Sequence, residues 1–140
     1  MGSQQDLKHA LHNEDVFKYL LLKKEFTDWI ITTAFYSALH FVDYKLFPQT
    51  YTDKTTKITI SDMDSYVLSA LNRYGTDKHV CRLKMVQREL KPIAVEFGWL
   101  FTNCNTARYR NYIFPNPGIT CQLAEEYLKI IKDFVHKPKT

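Results

Sequence analysis

Residues 28–47, DWIITTAFYSALHFVDYKLF, carry apolar side chains around almost the whole circumference of a helix. At 100° per residue, Ile31, Phe35, Ala38, Leu39, Val42 and Leu46 form an aliphatic face. A second face holds Trp29, Thr33, Tyr36, His40 and Tyr44, with Asp43 beside them. A helix that is apolar on two sides needs cover on two sides, so it is central to a bundle or lies at an interface. The chain therefore has to supply other helices to pack around this one.

The periodicity elsewhere supplies them. Leu7, Ala10, Phe17 and Leu21 recur at helical spacing in a segment from about Gln5 to Lys23. The central helix runs from Glu25 or Phe26 to Phe47 and stops before Pro48. Residues 48–60, PQTYTDKTTKITI, are Thr-rich and β-branched, and read as an irregular insertion with a short extended piece. Ser61 with Asp64 resembles a capping box that opens a short helix to Arg73, and Gly75 then breaks the chain. A fourth segment, Asp77 to Leu90, leads through Pro92 into a continuation from Ile93 to Tyr112, with Pro92 marking a kink or a boundary. FPNPG at 114–118 is a hard stop, and the last helix runs from Ile119 to His136. Antiparallel helices of this length on short links make an all-α, four- or five-helix bundle, one domain over residues 1–140.

Composition removes several alternatives. A chain of 140 residues at 45% hydrophobic can bury its own core, and 4 Gly with 5 Pro are too few for a turn-rich all-β protein. Three widely spaced cysteines, Cys81, Cys104 and Cys121, give neither a CxxC-type zinc site nor a complete disulfide framework. Free thiols in a reducing cytoplasm are the expectation. No run of 18 apolar residues exists and residues 1–12 are polar, so neither a membrane span nor a secretion signal is expected. A net charge of +4 permits a polyanionic partner without requiring one, because the lysines are scattered. His9 and His12 are i,i+3 but stand alone near a chain end, where solvation is the ordinary state, and no metal or cofactor is expected. Glycine-rich phosphate loops, HExxH and GxSxG are absent.

The same angular placement picks out polar residues that face inward. On the helix 93–112, Arg108 falls in the stripe of Phe97, Leu100, Phe101, Cys104 and Ala107, while Arg110 falls on the opposite side. His79 shares its side with Leu83, Val86 and Leu90, and Arg82 lies at the edge of that stripe. His40, His79 and Arg108, from three helices, are thus expected inside the bundle, where each needs a hydrogen-bonding partner. Such convergence suits either a ligand site or satisfied core residues that hold helices in register.

DWIITTAFYSALHFVDYKLF followed by KHVCRLKMVQRELKPIAVEFGWLFTNCNTARY (78–109) resembles one branch of the HEPN superfamily. The resemblance spans about residues 5–135, and AFYSALH and TARY are its most specific parts. It implies an all-α bundle of HEPN type that commonly dimerises. Many members are metal-independent endoribonucleases of toxin–antitoxin and phage-defence systems; others bind nucleotides or are inactive scaffolds. In the nucleases an Arg, usually followed by Asn, Asp or His, precedes a His by four to six residues. The arginine holds the scissile phosphate while imidazole moves protons.

Arg110-Asn111 matches the start of that motif, but the histidine positions read Pro115, Asn116 and Pro117. Arg73 and His79 have the spacing in a different segment, where five arginines and five histidines give about 0.5 matches by chance. Three functions follow from the resemblance. The first is a non-catalytic, homodimeric module for a nucleotide, RNA or a protein such as an antitoxin, with Tyr36, His40, Arg108 and Tyr109 at the pocket. The second is a ribonuclease toxin with a rearranged site, in which Arg110, Asn111 and Arg82 hold phosphate and His79 or His40 is the acid–base. The third is a structural dimerisation scaffold.

Overall fold

A computed structural model describes residues 3–137. Six α-helices and one β-hairpin follow in the order α1 (Gln4–Lys23), α2 (Thr27–Leu46), β1 (Gln49–Asp53), β2 (Thr56–Ile60), α3 (Met63–Leu68), α4 (Lys78–Glu89), α5 (Ala94–Tyr109) and α6 (Pro117–His136). The fold is all-α. Among the described residues no helix is long and apolar enough to cross a membrane.

α2 is the central helix that its composition requires. It packs against α1, α5 and α6, and Ile30, Ile31, Ala34, Phe35, Ala38, Phe41, Val42 and Leu46 are all buried. Ser37, fully buried, donates to the Ala10 carbonyl of α1 at 2.8 Å, so its hydroxyl is satisfied by the neighbouring backbone. α1 starts at Ser3, whose hydroxyl accepts from the Gln5 amide, and ends at Lys24 in the left-handed region (φ 55°). Phe26 is left-handed as well (φ 58°), and two such residues within three positions turn the chain straight back into α2. α6 closes the bundle through Ala124, Leu128, Ile131 and Val135, at the spacing of one helix face. Glu14 of α1, buried against it, is held by Lys132 at 2.9 Å.

Several expectations are corrected here. The segment 48–60 is a regular antiparallel hairpin, Gln49 paired with Ile60 through to Asp53 with Thr56. Tyr51 and Ile60 turn inward, whereas Thr50 and Thr59 join hydroxyls across the exposed face at 2.8 Å. α3 is capped by Asp62, which accepts from the Ser65 amide at 2.7 Å, and not by Ser61 with Asp64. It stops at Leu68 rather than Arg73, because Asn72 bonds the Val67 and Gly75 carbonyls and shapes the following loop around Gly75 (φ 88°). Of the two alternatives at Pro92 the boundary holds: Leu90 ends α4, and Lys91–Ile93 form a separate 3-10 turn anchored by buried Ile93. α5 ends at Tyr109, three residues before Tyr112.

Candidate functional site

A file of polar side chains runs along the flank of α2 that faces α4 and α5. Its buried end is Arg82, only 3% exposed, whose Nε and Nη2 donate to the two carboxylate oxygens of Asp43 at 2.8 and 3.0 Å. Both partners are removed from water and both prongs of the fork are used, as a buried guanidinium requires. Burial pushes the Asp43 carboxyl above its usual value, and the charge and hydrogen bonds of Arg82 pull it back. Arg82 thus lies in the interior instead of at the edge of the α4 stripe.

The third prong, Nη1, reaches Nδ1 of His79 at 3.4 Å. A guanidinium only donates, so Nδ1 is the acceptor and the ring proton sits on Nε2. Asp77 caps α4 by accepting from the His79 and Val80 amides at 2.9 and 3.3 Å, which fixes the turn that carries this ring. Burial lowers the His79 pKa, and the positive charges of Arg82 and Arg108 lower it further. The imidazole packs among Phe35, Tyr36 and Phe101, with ring centroids 6.1, 6.5 and 6.4 Å away. His79 is half-buried in this aromatic wall.

Tyr36 joins the buried end to the outer one. Its hydroxyl accepts from Arg108 Nη1, and the Arg108 guanidinium lies over the rings of Tyr36 and Tyr109, 5.6 and 5.0 Å from their centroids. The expectation that Arg108 points into the core is overturned: it is exposed, at the last turn of α5. The angle of Arg108 around α5 was placed correctly beside Cys104 and Ala107, both buried, but the long side chain extends past the core to the surface. Beside it opens a cleft of about 210 Å³ bordered by Asp28, Trp29, Thr32, Ala107 and Arg108.

Tyr36, His79, Arg82 and Arg108 therefore come together, with Tyr109 at the rim. His40 does not join them. Half-buried, it faces α1, where Nδ1 is 3.5 Å from Asp6 and the ring meets His9 edge-on at 4.8 Å. Arg110 and Asn111 lie beyond the end of α5, both exposed, and the Asn111 side chain is occupied by the Ile113 amide at 3.0 Å. No contact links Arg110 to His79 among the described residues, so the pair expected to act together in catalysis is not assembled in this chain. Asp43, Phe35 and Phe101 complete the site and were not singled out as site residues. The signal for Asp43 was present, a carboxylate on the second face of α2 with no Lys or Arg three or four positions away on its own helix to pair with it.

Other groups contribute little chemistry. Burial raises the thiol pKa of Cys81, Cys104 and Cys121, which disfavours the nucleophilic thiolate. His9 and His12 are exposed, and among the described residues no three His, Cys, Asp or Glu side chains gather as a metal site would need.

One end of the bundle is unusually apolar at its surface. A cavity of about 360 Å³ brings together the end of α1 and the starts of α2 and α6, and the 210 Å³ cleft joins the start of α2 to the end of α5. On these four helix ends and their links, Leu22 (81% exposed), Phe26, Trp29, Tyr109 (70% exposed), Tyr112, Ile113 and Ile119 all face outward.

Compared with protein-family models, with curated proteins and with solved structures, the chain matches none.

Proposed function

We propose that this chain is a HEPN-like helical module that binds a phosphate-bearing ligand, a nucleotide or RNA, without cleaving it. It acts as a cytoplasmic homodimer in a bacterial defence or toxin–antitoxin setting. The observation that carries this reading is the state of Arg108. Its partners are the Tyr36 hydroxyl and two aromatic rings, and among the described residues no carboxylate forms an ion pair with it, so its charge remains available to an anion. Around it the site offers donors: the Tyr36 hydroxyl proton and His79 Nε2–H. Asp28 also borders the cleft and repels an anion there, which favours an anion seated on the Tyr36 and Tyr109 side of Arg108.

The same geometry weighs against the ribonuclease alternative. A general base needs a free nitrogen lone pair, and the lone pair of His79 is directed at Arg82. The homodimer rests on the apolar end of the bundle, since contiguous exposed apolar surface marks an association site. That end holds Tyr109 and borders Arg108, so a second copy there would place two such sites close together.

Titration calorimetry with mononucleotides and a short single-stranded RNA tests this reading. Binding is expected, at least tenfold weaker for Arg108→Ala. RNA degradation without divalent metal, abolished by His79→Ala, would install the nuclease reading instead. A silent panel would leave the scaffold. Sedimentation should give a dimer that Trp29→Glu converts to monomer.

A further inference from the structure

A cavity of about 410 Å³ lies away from this site, between the hairpin and the end of α4. One wall is the whole of β1, Gln49–Asp53, and the other is Leu71, Arg73, Arg88 and Glu89. Successive strand residues point to opposite faces, so a cavity that touches odd and even residues alike runs along an edge. No residue of β2 borders it, so the edge is the free one of a two-stranded sheet.

The register says what that edge presents. Lys54 and Thr55 form a two-residue turn, and the pair that closes such a turn, here Asp53 and Thr56, is of the kind that exchanges both backbone hydrogen bonds. Tyr51 with Ile58 and Gln49 with Ile60 repeat that pattern. Thr50 and Thr52 consequently turn their N–H and C=O groups away from β2 and into the cavity. Spread along five residues at about 3.3 Å each, the volume corresponds to a slot about 5 Å across, close to the spacing between paired strands.

The charges in the slot are already matched. Arg73 pairs with Asp53, and Arg88 pairs with Glu89 at 2.9 Å while also bonding the Tyr74 hydroxyl at 3.2 Å. A small free anion or cation meets no uncompensated charge there. An uncharged, alternating row of donors and acceptors is what the edge complements, and an extended peptide backbone is that row. We infer that the slot between β1 and α4 receives an extended peptide segment of a partner protein as a third strand. The main chain of Thr50 and Thr52 supplies the hydrogen bonds, and the Arg73 and Arg88 side chains close the outer wall. This is independent of the phosphate-binding reading.

Panning a displayed random heptapeptide library against the full chain tests the proposal, with affinities measured on synthetic copies of the enriched peptides. Proline at position 52 removes a donor of the slot and leaves the ladder of the hairpin intact. Thr59→Pro, opposite Thr50, removes an outward donor from the other edge and is the matched control for any general loss of folding. Enriched peptides should lose at least tenfold in affinity with Thr52→Pro and less than twofold with Thr59→Pro. They should also protect the Thr50 and Thr52 amides from hydrogen exchange. No enrichment, equal loss with both prolines, or protection confined to residues around Tyr36 and Arg108 would each overturn the proposal.

Discussion

Arg82 and Arg108 stand at opposite ends of one aromatic wall, and almost everything about them differs. Arg82 is buried, forks onto Asp43 and gives a further N–H group to His79. Arg108 is exposed and rests on Tyr36 and Tyr109. A guanidinium keeps its charge in both places, so the surroundings decide what that charge does. Matched and dry, it holds α4 to α2. Unmatched and wet, it is free to meet a ligand. The residues between them, Tyr36 and His79, belong to both ends, and they tie a structural pair to a surface that can bind.

The largest effect expected from breaking this contrast is at the buried end. Arg82→Ala leaves the Asp43 carboxylate buried without its partner, and should cost about 3–5 kcal/mol in urea unfolding. The double variant Arg82→Met with Asp43→Leu removes both charges and should recover more than half of that loss. If the double variant is no better than the single, the pair is not the reason Arg82 is buried. Next comes Asp77→Ala, which frees the His79 and Val80 amides at the start of α4 and should cost about 1 kcal/mol in the same measurement. Arg108→Ala should be smaller still, about 0.5–1 kcal/mol from one exposed cation–π arrangement, while ligand affinity falls at least tenfold. Equal losses of stability for Arg82→Ala and Arg108→Ala would dissolve the distinction.

How much of this the sequence disclosed depends on whether a neighbour's position mattered. The central place of α2 was legible, because an apolar circumference allows no other. The end of α2 was legible because Pro48 made it a local matter, whereas α3 and α5 stop at Leu68 and Tyr109, short of the Arg73 and Tyr112 that Gly75 and FPNPG suggested. The hairpin was half legible: Tyr51, Ile58 and Ile60 alternate with threonines, but its turn is Lys54-Thr55, with Lys54 at φ 53° where asparagine or glycine would be the usual signal. The site was the hardest part to read. Angular placement gives the direction in which Arg108 leaves its helix, but not that the core gives out beside the last turn of α5. Likewise Asp43 and Arg82 are 39 positions apart, and no periodicity within one helix announces a pair between two. His40 shows the limit most plainly. It shares a flank of α2 with Tyr36, yet one further turn along that flank meets α1 and its Asp6 in place of α4.

The smallest and most diagnostic effect is the response of His79 to acid. Burial and the charges of Arg82 and Arg108 lower its pKa below the ordinary 6.5, so the folded state takes up this proton less readily than the unfolded chain. Well above pH 6.5 the ring is neutral in both states and contributes no pH dependence. As the pH falls through 6.5 the unfolded chain binds the proton first, and stability declines until the folded-state pKa is also passed. Asp43, pushed upward by burial, acts in the opposite sense, since a raised carboxyl favours the folded state on acidification. The useful measurement is therefore the difference between the wild type and His79→Gln, whose side-chain oxygen can still accept from Arg82. Urea unfolding from pH 7.5 to 5 should show the variant gaining on the wild type as the pH falls through 6.5. In Arg108→Ala that gain should shrink, because one of the charges that lower the His79 pKa is gone. A gain that stays the same would mean that the outer arginine does not reach His79 electrostatically, and that the two ends of the aromatic wall work apart.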